Sequence, residues 1–87
     1  MYTVGRIVIC KRGHDKGNPF VIVHVDGEYV FLADGRTRKL SKPKKKKVIH
    51  IQITDSIFSE IAQRLVEGNL RDEQIRNVLL RFRNEEV

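Results

Sequence analysis

The sequence predicts a mainly β fold: a small SH3-like barrel of about five antiparallel strands, followed by a C-terminal two-helix hairpin. Two observations support this prediction. Residues 1–53 contain short β-branched runs bounded by Gly, Pro and Asp-Gly pairs. From residue 54 onward the apolar residues recur at helical spacing instead. Because 87 residues suffice for a single domain, we expect residues 54–87 to pack on the barrel as part of one structural unit.

Five strands are predicted from the apolar runs and from the turns between them. Their expected bounds are residues 6–11, 20–25, 28–33, 36–40 and 48–53. The Asp-Gly pairs at 26–27 and 34–35 both favour two-residue hairpins, in which both central residues adopt positive φ. The second, third and fourth strands should therefore form an antiparallel meander. Closing the set into a barrel would leave no exposed sheet edge.

Two amphipathic helices are predicted after the last strand. Thr54 or Asp55 can cap the start of the first helix, and Gly68 suits its end. Asn69 and Asp72 resemble a capping box for the second helix. Because short helices are marginal alone, we expect their apolar stripes to pack against the barrel. The stripe residues are Ile57, Ile61, Leu65, Ile75, Leu79 and Phe82.

The distribution of charge indicates a polyanionic partner. The chain has 17 Lys and Arg against 11 Asp and Glu, which gives a net charge of +6. Residues 1–53 carry 8 Lys and 4 Arg against 4 acids, or +8, whereas residues 54–87 carry 5 Arg against 7 acids, or −2. A basic half joined to a mildly acidic half is typical of nucleic-acid-binding proteins. The alternative is a solvated basic face that only aids solubility.

The densest basic segment is residues 42–47, with five lysines in six positions. Repulsion between like charges should keep the free segment extended and solvated. Lysines contact phosphates as point charges, so we expect a basic edge that neutralises nucleic-acid phosphates without reading bases. A solubilising loop or a localisation signal is the alternative. The predicted contacts along this edge are Arg36, Arg38, Lys39, Lys42, Lys44, Lys45, Lys46 and Lys47.

A polar loop at 13–17, Gly-His-Asp-Lys-Gly, separates the first two strands. Glycines let the backbone approach a phosphate closely, and lysine adds charge at the tip. Arg12, Lys16 and Gly17 are therefore predicted as a second phosphate contact. The loop is not a P-loop, because the spacing and the following helix are absent. Taken alone, the loop fits a plain structural turn about as well.

A further pattern joins several segments: Val-Gly-Arg-Ile-Val-Ile at 4–9, the 13–17 loop, the apolar strand at 20–25, Tyr-Val-Phe-Leu-Ala-Asp-Gly at 29–35 and Gln-Ile-Thr-Asp at 52–55. The first three together resemble a KOW motif, which marks a family of RNA-binding domains in ribosomal and transcription-elongation proteins. With the last two, the resemblance extends to the L-fourteen-e family of large-subunit ribosomal proteins. It implies an SH3-like barrel that docks on structured ribosomal RNA through loops and basic edges, with ribosomal proteins as further partners.

We find no catalytic constellation, so we predict a binding protein rather than an enzyme, with no cofactor, metal, membrane or small-molecule substrate. The three histidines lack metal-ligand spacing, and Cys10, the single cysteine, should be an inert core thiol. One cysteine and no signal-like apolar run favour the cytoplasm. Tyr29 and Phe31 could stack on bases or pack in the core. A protein-interaction module, or a transcription-elongation accessory, is the alternative function.

Overall fold

The computed structural model describes residues 1–85, which form a five-stranded antiparallel sheet followed by two helices. The elements are β1 (Arg6–Cys10), β2 (Pro19–Asp26), β3 (Tyr29–Ala33), β4 (Lys44–Lys47), β5 (Ile51–Ile57), α1 (Ser59–Glu67) and α2 (Asp72–Glu85). The strand order is β4-β3-β2-β1-β5. The predicted mainly β class with a C-terminal helical hairpin is confirmed. The sheet is not closed, so its closure into a barrel is not.

The sheet is nevertheless strongly curled. β4 and β5 are its two edges, and a three-residue 3-10 turn, Val48–His50, joins them. In a flat sheet these edges would be about 19 Å apart, which is four interstrand spacings. A 3-10 turn of this length spans only about 6 Å. The two edges therefore approach each other at this end, and the curl encloses one apolar face of the sheet.

The fourth predicted strand is wrong. Residues 36–40 lie in a ten-residue connection between β3 and β4, and the strand falls on the lysines instead. β4 pairs with β3 in register from Tyr29↔Lys47 to Leu32↔Lys44. An edge strand tolerates charge because one of its sides stays solvated. The run is extended, as expected, but it is held in the sheet by backbone pairing.

The two Asp-Gly pairs differ. The first forms the predicted β2–β3 hairpin, but Asp26 pairs with Tyr29, so the central residues are Gly27 and Glu28. Of these two, only the glycine has positive φ, at 59°. The second pair forms no hairpin. Asp34 and the glycine after it begin the connection between β3 and β4, which we call the Asp34 loop (residues 34–43).

The last strand extends further than predicted, to Ile57. Thr54 and Asp55 therefore lie within β5 and do not cap α1, which begins after Phe58 without a side-chain cap. The Thr54 hydroxyl donates instead to the Ile7 carbonyl, 2.7 Å away, across the sheet. Thr54 and Asp55 therefore belong to the strand beside β1, although the local sequence pattern predicted them at the start of a helix.

The helix boundaries between α1 and α2 follow tertiary contacts. Gly68 ends α1 in the left-handed conformation, as predicted. Asn69 does not cap α2. The Arg71 N–H donates to the Gln74 side chain, 2.9 Å away, and the Asp72 carboxylate accepts from the Leu40 N–H at 2.8 Å. Asp72 therefore ties α2 to the Asp34 loop rather than to Asn69.

The apolar residues form two clusters, one on each face of the sheet. The helices cover one face, where the buried residues are Ile7, Val21, Val23, Ala33, Phe58, Ile61, Ile75, Val78, Leu79 and Phe82. The curl encloses the other, where they are Val8, Cys10, Phe20, Ile22, Val30, Leu32 and Ile51. Ile57 and Leu65, also expected under the hairpin, are 46% and 42% exposed. No helix within residues 1–85 is long and apolar enough to cross a bilayer.

Candidate nucleic-acid interface

β4 divides its four lysines between the two faces of the sheet, because alternate side chains of a strand point to opposite sides. Lys44 and Lys46 are opposite β3 residues that are buried within the curl. Lys45 and Lys47 are opposite the aromatic residues of β3 and are exposed. The run therefore presents two pairs of cations with different surroundings, rather than one uniform patch.

The inward pair reaches across the mouth of the curl to the β1–β2 connection, which we call the Gly13 loop (residues 11–18). Lys44 Nζ lies 2.6 Å from Asp15 Oδ2, and Lys46 Nζ donates to the Arg12 carbonyl at 3.0 Å. Arg38 Nη2 lies 3.2 Å from the same Asp15 oxygen. Two segments distant in sequence, residues 12–15 and residues 38–46, thus meet at one edge of the fold.

We call this group the basic rim; it comprises Arg12, Arg38, Lys44 and Lys46. Asp15 is its single carboxylate, and its side chain is 14% exposed. The hydrogen bond from Lys44, followed by that from Arg38, holds the pKa of Asp15 below its usual range. Asp15 therefore stays ionised at neutral pH and fixes two cations in place while it offsets one charge of the rim.

The outward pair of lysines borders an aromatic corner formed by His24, Tyr29 and Phe31. Lys45 Nζ lies 4.5 Å from the centroid of the Tyr29 ring, which is a cation–π contact. The His24 and Phe31 rings are 5.2 Å apart between centroids. Phe31 packs partly against the helix-covered cluster, whereas the tyrosine is 36% exposed. His24 is exposed as well, so the corner offers two accessible rings flanked by positive charge.

The remaining predicted contacts are exposed but lie outside these contacts. Arg36, Lys39 and Lys42 are exposed on the Asp34 loop. Lys16 is exposed on the Gly13 loop, while the Gly17 N–H donates to the Cys10 carbonyl at 2.8 Å. The Gly17 N–H is therefore already paired within the fold.

Two arginines of α2 were missed by the sequence analysis. Arg76 and Arg83 line a cleft of about 330 Å³ together with Arg36. The net charge of residues 54–87 is negative, and a net charge does not show which face of a helix each charged residue occupies. The two arginines were therefore overlooked. Their spacing of seven residues, which places both side chains on one helix face, was the available signal.

The single cysteine is buried within the curl. Burial raises the pKa of the Cys10 thiol, although the nearby Lys46 charge acts in the opposite direction. The thiol is therefore protonated at neutral pH and is a poor nucleophile or ligand. Within the described residues, no group of three or more His, Cys, Asp and Glu side chains is placed to hold a metal ion.

Comparison with protein-family models and with curated proteins finds no match to this chain. The resemblance to KOW domains therefore rests on the segments quoted from its sequence.

Proposed function

We propose that this chain is an RNA-binding protein, ribosomal or ribosome-associated, that docks on structured ribosomal RNA through basic loops and an edge strand. The observation that supports this most is the convergence of two distant segments, the Gly13 loop and residues 38–46, on the basic rim. Lys44 and Arg38 meet at Asp15, and Lys46 spans to Arg12. Contacts within the fold hold these cations at set positions, so less ordering entropy is lost when phosphates bind.

The proposed mechanism has two parts. The basic rim and the exposed lysines of β4 neutralise phosphates, which positions the protein on RNA without reading its sequence. The aromatic corner accepts an unstacked base from a loop or bulge, since folded RNA presents such bases to aromatic side chains. Lys45, already over the Tyr29 ring, would pair with the phosphate beside that base. Such a protein would act in translation, in the cytoplasm.

The rival function, a protein-interaction module or transcription-elongation accessory, has less support. Most of the apolar stripe residues of the hairpin are buried against the sheet and are not available to a partner. The hairpin does leave Val66 and Leu80 exposed, at 88% and 59%. Apolar side chains exposed singly are common on soluble proteins and do not by themselves mark an interface.

The proposal is tested with the double variant Lys45→Gln, Lys47→Gln. These side chains are exposed and make no ion pair within residues 1–85, so unfolding free energy should change by less than about 1 kcal/mol. If about five phosphates are engaged, the parent's log affinity for ribosomal RNA fragments should fall with log salt at a slope near −4. The variant should bind more weakly, with a slope shallower by about two.

The matched control is Arg64→Gln, Arg81→Gln, which removes the same charge from the helical hairpin on the side of α1, where Arg81 pairs with Glu60. It should retain the parent's affinity and slope. Equal weakening in both double variants would mean that net charge alone, rather than this surface, attracts RNA. A parent whose retention on RNA does not respond to salt would contradict the proposal and favour the interaction module.

A further inference from the structure

The cleft beside α2 is a second concentration of positive charge, separate from the basic rim. The Asp34 loop, the start of β2 and α2 form it, with about 330 Å³ between them. The lining residues used below are Asn18, Arg36, Arg76, Asn77, Leu80 and Arg83. Arg38 of the same loop turns to Asp15 on the rim, so the Asp34 loop lies between the two basic sites and contributes to both.

The charges of the cleft are held with differing rigidity. Arg76 Nη1 donates to the Gly35 carbonyl at 2.7 Å, which fixes one guanidinium. Arg36 and Arg83 are exposed, and their guanidinium groups make no ion pair with any carboxylate of residues 1–85. One wall thus carries a fixed cation, and the opening is flanked by two that can reach a ligand.

A single acid, Asp34, also lines the cleft, but the loop uses its oxygens. Oδ1 accepts from the N–H groups of Arg36 and Arg38, at 2.9 and 2.8 Å, and Oδ2 accepts from the Thr37 hydroxyl at 3.1 Å. The carboxylate therefore shapes the loop, and three guanidiniums face one carboxylate. The balance of charge favours an anionic ligand.

We infer that this cleft binds one nucleotide unit of the same RNA, with its phosphate between Arg36 and Arg83. The inference rests on the proposed function and adds a specific pocket to it. A guanidinium matches phosphate through paired hydrogen bonds, which a lysine cannot provide. The side-chain amides of Asn18 and Asn77 offer donors and acceptors to a base edge, and Leu80 supplies apolar surface for its ring.

Two features favour a nucleotide over an acidic peptide. The cleft and the rim are continuous through the Asp34 loop, so one strand of RNA can contact both. The cleft also combines amides with apolar surface, which suits a planar base, and its volume is near the small end for ligand pockets. The helical hairpin therefore takes part in binding as well as covering the sheet.

The test is the double variant Arg36→Gln, Arg83→Gln in the full chain. Arg76 is left intact because its contact with Gly35 helps to dock α2. We expect affinity for ribosomal RNA fragments to fall at least about ten-fold, with a salt slope shallower by about two. The control is Arg81→Gln, two residues from Arg83 on another face of α2, where it pairs with Glu60 at 3.1 Å. It should change affinity less than about two-fold.

Adenosine monophosphate is the second probe. Its binding is monitored through the NMR signals of the Asn18 and Asn77 side-chain amides. We expect these signals to shift in the parent and in Arg81→Gln, but not in the double variant. If RNA binding depends on Lys45 and Lys47 yet the cleft variant binds like the parent, the inference is wrong and the proposed function stands.

A parent that does not bind RNA overturns the proposed function, and the nucleotide titration then decides the cleft by itself. A glutamate-rich peptide that shifts the two asparagine signals where the nucleotide does not would overturn the inference in favour of a protein ligand. Unfolding curves of the double variant that match the parent's would show that it is folded in the binding measurements.

Discussion

Asp26-Gly27 and Asp34-Gly35 are identical pairs at opposite ends of the same strand, β3, and they build different structures. At the first, the chain reverses in two residues, with Gly27 at the first central position and φ of 59°. That is the pattern of a type II′ hairpin, whose twist matches that of the strands. At the second, Asp34 organises a ten-residue loop through its side chain, and the chain reaches β4 later.

The difference lies in what surrounds each glycine. A Cβ at Gly27 would meet nothing within 4 Å, so the only requirement there is the backbone conformation. A Cβ at Gly35 would lie 2.6 Å from the Asp72 carbonyl and 2.8 Å from Arg76 Cγ, both on α2. The first pair serves a local reversal, and the second allows a helix to approach the loop. An Asp-Gly pair thus specifies a positive φ, but long-range contacts decide what it is used for.

The largest effect should come from alanine at the two glycines. Gly35→Ala adds a clash with backbone to a strained φ of 76° and should cost about 3 kcal/mol or more of unfolding free energy. Gly27→Ala meets strain alone and should cost about 1 kcal/mol. Urea unfolding of both variants measures the difference. Equal costs would mean that α2 does not depend on this close approach.

A middle-sized effect is expected at the two aspartates. Asp34→Ala removes an acceptor used by three donors of its loop and should cost about 2 kcal/mol. Asp26→Ala, exposed at the end of β2, should cost less than about 0.5 kcal/mol. Thermal unfolding monitored by circular dichroism provides the comparison. If the hairpin variant lost as much as the loop variant, the side-chain bonds of Asp34 would not account for the loop.

The smallest effect concerns Asp15, which pairs with Arg38 of the Asp34 loop and with Lys44 of β4. Because the pKa of folded Asp15 is lowered, its contribution is complete above the ordinary aspartate value of about 4 and is lost as pH falls through the folded value. Asp15→Asn should therefore cost about 1 kcal/mol at pH 7 and progressively less on acidification below pH 4. Unfolding at pH 7 and pH 2.5 tests this. A cost independent of pH would point to packing rather than to the ion pairs.

Local pattern was sufficient where a segment's neighbours in sequence determine its structure. β2, β3 and their hairpin follow from short runs of β-branched and aromatic residues on either side of an Asp-Gly turn. Local sequence pattern failed to predict the structure where a contact with a residue distant in sequence determines it. The four lysines of β4 have no apolar alternation, and only their ladder with β3 makes them a strand. Thr54 looked like a helix cap, but its hydroxyl bonds to Ile7 of β1.

The same division holds for the candidate site. Composition identified the cations of the rim, because clustering along the chain is visible in the sequence. It did not identify Asp15 as their common partner, since Lys44 is 29 residues away from it. Nor did it identify the cleft, where Arg36 and Arg83 come from opposite halves of the chain. Charge added over segments cannot show which side chains converge after folding.

The position of β4 at the edge of the sheet has a consequence for self-association. Within residues 1–85 no strand lies beside its outer backbone groups, which could pair with another molecule. Two copies meeting edge to edge would bring four lysines against four at about 5 Å, which opposes the growth of extended intermolecular sheets. On the proposed function, RNA that neutralises these lysines also covers the strand. Charge repulsion would then protect the free protein against aggregation, and the bound RNA would protect the complex by covering the strand.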